Sequence, residues 1–215
     1  MAMNKKYKCI IFDCDGVLVD SEPTSIQVLV DIANEYGANI DLEYGMKHFK
    51  GSFFTACKQM ISDLTQKQLP DSLEDEYRNR SFEAFQKKME PVEGVKDVIG
   101  RLHLPFCVAS SGPESKIRLN LGLAGLLPFF EGRIFSCYAL KKWKPDPAVF
   151  LWAAKTMGFN PEACLVIEDS LSGVKAAKAG GFDVFGYTAH DPDNELMPLA
   201  TKTFSKMSDL LALIE

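Results

Sequence analysis

Beyond Pro91 the chain alternates short apolar runs with stretches of helical periodicity, and few architectures accommodate that pattern. The apolar runs are Phe106–Ala109, Arg133–Ser136, Ala163–Ile167 and Asp183–Tyr187, with a shorter one near Thr203-Phe204. Helices are expected at Ser115–Leu123, Pro147–Met157, Ser172–Ala179 and Lys206–Ile214. Strands that are apolar throughout, alternating with helices, specify a parallel sheet covered on both faces. An earlier run, Lys8–Phe12, belongs to the same sheet by composition.

Between that first strand and Pro91 lies a region of another kind, about residues 21–88. It carries amphipathic stretches at Ser25–Tyr36, Phe53–Leu64 and Leu73–Lys88 and no convincing strand. Turn signals fall at Tyr36-Gly37, Tyr44-Gly45 and Leu69-Pro70-Asp71. The segment reads as a small helical bundle inserted into an α/β core. Asp20 and Ser21 are placed to cap its first helix, with Pro23 in the first turn.

Open parallel sheets bind ligands at the carboxyl ends of their strands. The residues ending three of these strands are Asp13-Cys14-Asp15, Ser110-Ser111-Gly112 and Glu168-Asp169. Four carboxylates on one rim repel: a like-charge pair about 4 Å apart costs about 4 kcal/mol at an effective dielectric of about 20. All-oxygen donors without His or Cys favour a hard cation such as Mg2+. Lys144, held out of helix by Pro145, can supply fixed positive charge. Ser110–Gly112 leads into a helix N-terminus, which favours an anion. A cation, a lysine, a hydroxyl and a helix N-terminus around one carboxylate suit phosphoryl transfer.

Composition narrows the remaining classes. The 215 residues are 47% hydrophobic and 25% charged, the profile of a globular chain. A net charge of −5 argues against nucleic-acid binding, and no apolar stretch approaches the length of a membrane helix. No signal-type core follows the polar N-terminus, so a cytoplasmic location is expected. The six cysteines (9, 14, 57, 107, 137 and 164) form no C-x-x-C pair and read as small buried hydrophobes. Cys14 is a packing residue, because none of the three histidines falls in these motifs to act as its base.

The stretches "FDCDGVLVDS", "VASSG", "WKPDP" and "VIEDSLSGVKAAKAGG" resemble the four ordered motifs of the haloacid dehalogenase-like superfamily. The chain is most similar to its β-phosphoglucomutase-like, sugar-phosphatase branch, and the resemblance covers nearly its whole length. It implies a Rossmann-like core, residues 1–20 and 89–215, with a helical cap domain at 21–88. It implies that Asp13 is the nucleophile, forming an aspartyl-phosphate, and that Asp15 is the general acid and base. The Mg2+ site it implies uses the Asp13 and Asp169 carboxylates and the Asp15 carbonyl, supported by Glu168 and Ser170. Ser110, Ser111, Gly112 and Lys144 would bind the transferring phosphoryl group.

In the cap, "HFKGS" matches a substrate-reading loop, which assigns Lys50 and Gly51 to specificity. The bland reading of Lys50 is a surface lysine before a turn glycine. Arg78 and Arg80 read as a solvated helix face, and Trp143 either walls the entrance or packs beside Lys144.

Four functions are open. A phosphatase acting on a small phosphorylated metabolite is favoured over a phosphomutase of the β-phosphoglucomutase type. Those mutases have a His where this chain has Ser25 and an Arg where it has Phe54. A dehalogenase lacks the second aspartate, and a non-catalytic binding protein would not need the intact motif set. The stretch "FS-x-Y…KKWKPDP" resembles 6-phosphogluconate phosphatases, which points to a sugar phosphate or a sugar-acid phosphate such as 6-phosphogluconate. A monomer is the default expectation.

Overall fold

The computed structural model describes residues 6–49, 52, 54–87, 89–189, 191 and 193–214. The chain divides into two compact units, one from Met1–Asp20 with Glu90–Glu215, the other Ser21–Met89. It opens with strand β1 (Cys9–Phe12) and a two-residue strand β2 (Val19–Asp20). The second unit then follows as helices α1 (Glu22–Glu35), α2 (Leu42–His48), α3 (Phe54–Thr65) and α4 (Leu73–Lys87). The chain returns through β3 (Glu90–Pro91), which pairs antiparallel with β2.

The rest of the first unit runs α5 (Val95–Arg101), β4 (Phe106–Ser110), α6 (Glu114–Leu123), α7 (Leu127–Phe130) and β5 (Ile134–Ser136). It continues α8 (Cys137–Leu140), α9 (Ala148–Met157), β6 (Cys164–Glu168), α10 (Leu171–Ala179), β7 (Asp183–Tyr187), β8 (Lys202–Phe204) and α11 (Leu210–Ile214).

The parallel sheet expected from the sequence is present, with strand order β5-β4-β1-β6-β7-β8 and every ladder parallel. β1 and β6 lie in its middle with all nine residues fully buried, which is why both read as unbroken apolar runs. Large side chains such as Ile10, Ile11 and Phe12 each contribute about 1.5–3 kcal/mol by leaving water. Val149, Phe150, Ala153, Val174 and Ala177 from α9 and α10 pack with Cys9, Ile11 and Val166 of the sheet. All six cysteines are free and buried, so they serve as core volume. β4 and β6 flank β1 on opposite sides, and the chain changes direction between them. That places a crevice at the carboxyl end of β1.

The helical unit packs Ile26, Leu29, Ile32 and Ala33 of α1 against Phe49, Cys57, Ile61 and Leu73. Tyr44-Gly45, expected as a turn, lies inside α2. A Cβ on Gly45 would stand 2.6 Å from Val30 Cγ2 and 2.8 Å from Ile26 Cγ2, so the glycine serves close helix packing. Ser21 occupies the N-cap of α1 but makes no side-chain cap bond, and Asp20 belongs to β2. Arg80 reaches from α4 to grip Glu35 of α1 at 2.6 and 2.9 Å, while Arg78 pairs with Glu74 on its own helix. Exposed pairs like these are worth at most about 1 kcal/mol.

Among the described residues four helices were not foreseen: α2, which holds the supposed Tyr44-Gly45 turn, and α5, α7 and α8. α7 and α8 are four residues each, too short to show a period, and α5 is only seven. The terminal helix begins as a 3-10 turn at Met207–Asp209 before α11. No described helix is long and apolar enough to cross a membrane.

Candidate active site

At the carboxyl end of the sheet, a cleft of about 610 Å3 is lined by residues following β1, β4, β5 and β6. Asp13 is the first residue past β1, and its N–H donates to the Ile167 carbonyl of β6 at 2.9 Å, which fixes the backbone there. Its carboxylate is nearly buried, at 8% exposure.

Lys144 holds the centre. Its buried ammonium donates to Asp13 Oδ1 at 2.5 Å, Glu168 Oε1 at 2.6 Å and the Ala109 carbonyl at 3.1 Å. All three N–H bonds are thereby used, and the ammonium also lies 4.7 Å from the Phe150 ring centre. The paired carboxylates hold the lysine's pKa up despite a burial that pulls it down.

Glu168 ends β6 with no exposed surface. Its other oxygen accepts from Ser170 N and Ser170 Oγ, both at 2.9 Å, and Ser170 Oγ in turn accepts from Gly173 N at the start of α10. Gly173 is required by this arrangement: a Cβ there would stand 1.8 Å from Glu168 Oε1 and 1.9 Å from its Cδ. Gly173→Ala should therefore displace Glu168 and destabilise the fold by about 1–3 kcal/mol. Thermal denaturation should record a melting point lower by about 2–10 °C, with reduced turnover. An unchanged melting point would mean that the carboxylate has room to move.

Asp169, beside it, faces the cleft. Gly16, at φ +82°, allows the Asp13–Gly16 loop to pass this carboxylate, since a Cβ would stand 1.8 Å from Asp169 Oδ2. Asp13, Glu168 and Asp169 each present a ligand atom within 4.8 Å of the others. Burial pushes the Asp13 carboxyl up to about 7, against the pull of Lys144, with Glu168 adding to the rise. Burial first, then Glu168 and Asp13, also hold Asp169 well above the usual carboxylate range.

One lysine does not offset three clustered carboxylates. An all-oxygen set short of positive charge fits a hard divalent cation. Both Glu168 oxygens already accept hydrogen bonds, from Lys144 and from Ser170, whereas Asp13 shows such a bond on one oxygen alone.

On the other side, Ser110 ends β4 almost fully buried and accepts from Gly112 N at 3.1 Å. The Gly112 N–H is thus used within its own turn, and the Gly112 carbonyl accepts from Ser136 Oγ at 2.7 Å. Ser111 faces the cleft, with its hydroxyl near the Cys137 thiol. Trp143 is half-exposed and meets Tyr138 edge-on at 5.4 Å; Tyr138, the tyrosine of the FS-x-Y stretch, to which the sequence assigned no role of its own, lines the cleft.

Asp15 also lines the cleft but stands apart from the carboxylate cluster. Its two oxygens accept from Lys116 and Asn120 of α6, neither of which the sequence singled out. The signal was present as a polar i, i+4 pair in an otherwise apolar-periodic helix. The structure thus brings Asp13, Asp15, Ser110, Ser111, Gly112, Lys144, Glu168 and Asp169 to one cleft. Lys50 and Gly51 lie outside the described residues.

Residues 7–181 match the family model of the haloacid dehalogenase-like hydrolases. The 6-phosphogluconate phosphatase of Escherichia coli (strain K12) is 32% identical over 206 residues, 95% of this chain and 93% of that protein. The fructose-1-phosphate phosphatase of the same organism is 31% identical over 84% of this chain and 96% of its own length. A hydrolase of the family from Deinococcus radiodurans R1, solved with bound phosphate and sodium, is 28% identical and superposes with a TM-score of 0.80 over 98% of this chain and 96% of that one. The chain belongs to the haloacid dehalogenase-like hydrolase family. Within it, the chain is a phosphoric monoester hydrolase.

Proposed function

We propose that this enzyme is a Mg2+-dependent phosphatase of small sugar phosphates or sugar-acid phosphates, with 6-phosphogluconate the first candidate, acting through an aspartyl-phosphate. The observation that carries the reading is the buried contact of Lys144 with both Asp13 and Glu168, at the bottom of a cleft that Ser110 and Asp169 share. Asp13 attacks phosphorus through its carboxylate oxygen. Lys144 lowers the cost of bringing that anion to an anionic phosphate. Ser110 and the Ser111 N–H hold phosphoryl oxygens. Asp15 protonates the departing alcohol oxygen, then takes a proton from the water that attacks the phosphoenzyme.

Asp13, Asp169 and the Asp15 carbonyl would hold Mg2+, steadied by Glu168 and Ser170. The ion would supply positive charge to the carboxylates and the phosphoryl oxygens. The helical unit takes the part of the family's cap. Phosphatase is favoured over phosphomutase by what the two diagnostic positions do. Ser25 donates to the Glu22 carbonyl at 2.9 Å within α1, and Phe54 stacks on Tyr77 at 5.1 Å, so neither offers a basic group for a second phosphate.

The test is phosphate release from a panel of phosphorylated metabolites with Mg2+ present. A higher kcat/KM for 6-phosphogluconate than for p-nitrophenyl phosphate, lost on EDTA treatment and restored by Mg2+, is expected. Turnover indifferent to EDTA would overturn the metal role. Conversion of β-glucose-1-phosphate to glucose-6-phosphate faster than phosphate release would replace the phosphatase with a mutase.

A further inference from the structure

We propose that Lys116 and Asn120 of α6 are positioning residues for proton transfer, holding the Asp15 carboxylate by one hydrogen bond to each oxygen. Lys116 Nζ donates to Asp15 Oδ2 and Asn120 Nδ2 to Asp15 Oδ1, both at 3.0 Å. The proposal rests on Asp15 being the acid and base of the reaction described above.

Asp15 sits in a loop with its side chain about one third exposed, at 35%. A carboxylate so placed has solvent as an alternative partner and rotates freely unless held. Proton transfer rewards only the rotamer that reaches the bridging oxygen, and small misplacements are costly. Two donors arriving on different oxygens fix both side-chain torsions at once.

Neither donor is in its ordinary environment. Asn120 is a buried amide, at 1% exposure, on a helix whose other buried residues are the apolar Ile117 and Leu121. Burying an amide is costly unless it is hydrogen-bonded, and the partner that its Nδ2 finds is Asp15. Lys116 is only about one third exposed, at 34%, and its stem runs past the Ser110–Gly112 turn, where a Cβ on Gly112 would lie 3.6 Å from Lys116 Cδ. The spacing of four places both residues on one face of α6, over the same carboxylate.

The step they serve is balanced. As the Asp13 oxygen bonds to phosphorus, the P–O bond to the alcohol breaks and the Asp15 proton passes to the departing oxygen. Water then bonds to phosphorus, its proton returns to Asp15, the Asp13–phosphorus bond breaks, and phosphate leaves. A misplaced Asp15 therefore matters most for leaving groups that cannot depart as anions.

The experiment measures single-turnover phosphoryl transfer in the full chain with Mg2+, using p-nitrophenyl, phenyl and p-methoxyphenyl phosphate. In the wild type, proton donation should keep the three rates within about threefold of each other. In Lys116→Met the p-methoxyphenyl rate should fall at least about tenfold further than the p-nitrophenyl rate, part of the 10²–10⁴ that acid catalysis typically supplies. Asn120→Ser should steepen the series in the same sense, and Lys116→Arg should restore it.

Asp15→Asn sets the limit. If that variant leaves the series flat, the acid role of Asp15 fails. If Asp15→Asn steepens the series while Lys116→Met and Asn120→Ser lower all three rates equally or not at all, the positioning role is overturned.

Discussion

Asp13→Asn is expected to lower turnover of any phosphate monoester by at least about 10⁴-fold, a loss of about 5.4 kcal/mol in transition-state stabilisation. An amide is a poor nucleophile, and no other described carboxylate stands in the same relation to both Lys144 and the end of β1. Lys144 and Ser110 remain in place, so KM should change far less than kcat.

The same substitution makes a stability prediction of opposite sense. Burial pushes the Asp13 carboxyl up to about 7, above the ordinary value near 3.8. A carboxyl raised by folding is protonated in the folded chain while the unfolded chain has already ionised. Metal-free wild type therefore loses stability as pH rises from about 4 to about 7, and above that the penalty is constant. Asparagine carries no such penalty. The melting temperature of Asp13→Asn relative to wild type, in EDTA, should accordingly climb between pH 5 and pH 8. Retained activity would remove Asp13 from the nucleophile's place, and a pH-independent difference in melting would remove the buried-charge argument.

The core of the fold was legible because its strands are buried on both faces, so each appears as an apolar run with a polar end. Asp13, Ser110 and Glu168-Asp169 stand at those ends, and Lys144 sits in a Pro-bounded turn that cannot be helix. Position along the chain therefore marks them. What the sequence hid depends on tertiary contact. Lys116 and Asn120 look like the polar side of an amphipathic helix, and only the packing of α6 beside the Asp15 loop turns that side inward.

Gly173 and Gly45 look like weak points in helices, yet each sits where another group comes too close for a Cβ. Tyr44-Gly45 was misread for this reason: glycine signalled a turn locally, and its cause lay in α1. The four-residue helices α7 and α8 have too little length for any period to appear.

Lys144→Met should cost both stability and catalysis, and pH can separate the two. The substitution leaves Asp13 and Glu168 with their shared cation gone, and stripping one partner from a buried ion pair costs about 3–5 kcal/mol. Circular dichroism melting should register a fall of about 6–20 °C. Lys144 is also the group that draws the Asp13 carboxyl downward against burial, Glu168 and Asp15. Without it the Asp13 carboxyl of the metal-free chain rises further, which makes the proposed nucleophile easier to protonate at neutral pH. Turnover at pH 7 should drop at least about 10³-fold, the range seen when one preorganised electrostatic partner is removed.

Because ionisation returns above the raised pKa, the ratio of variant to wild-type activity should increase between pH 7 and pH 9. A ratio that stays constant would assign the lysine to the phosphoryl oxygens alone, with no part in keeping Asp13 ionised. Lys144→Arg should fall between the two, since a planar guanidinium keeps the charge but cannot converge on Asp13, Glu168 and the Ala109 carbonyl as an ammonium does.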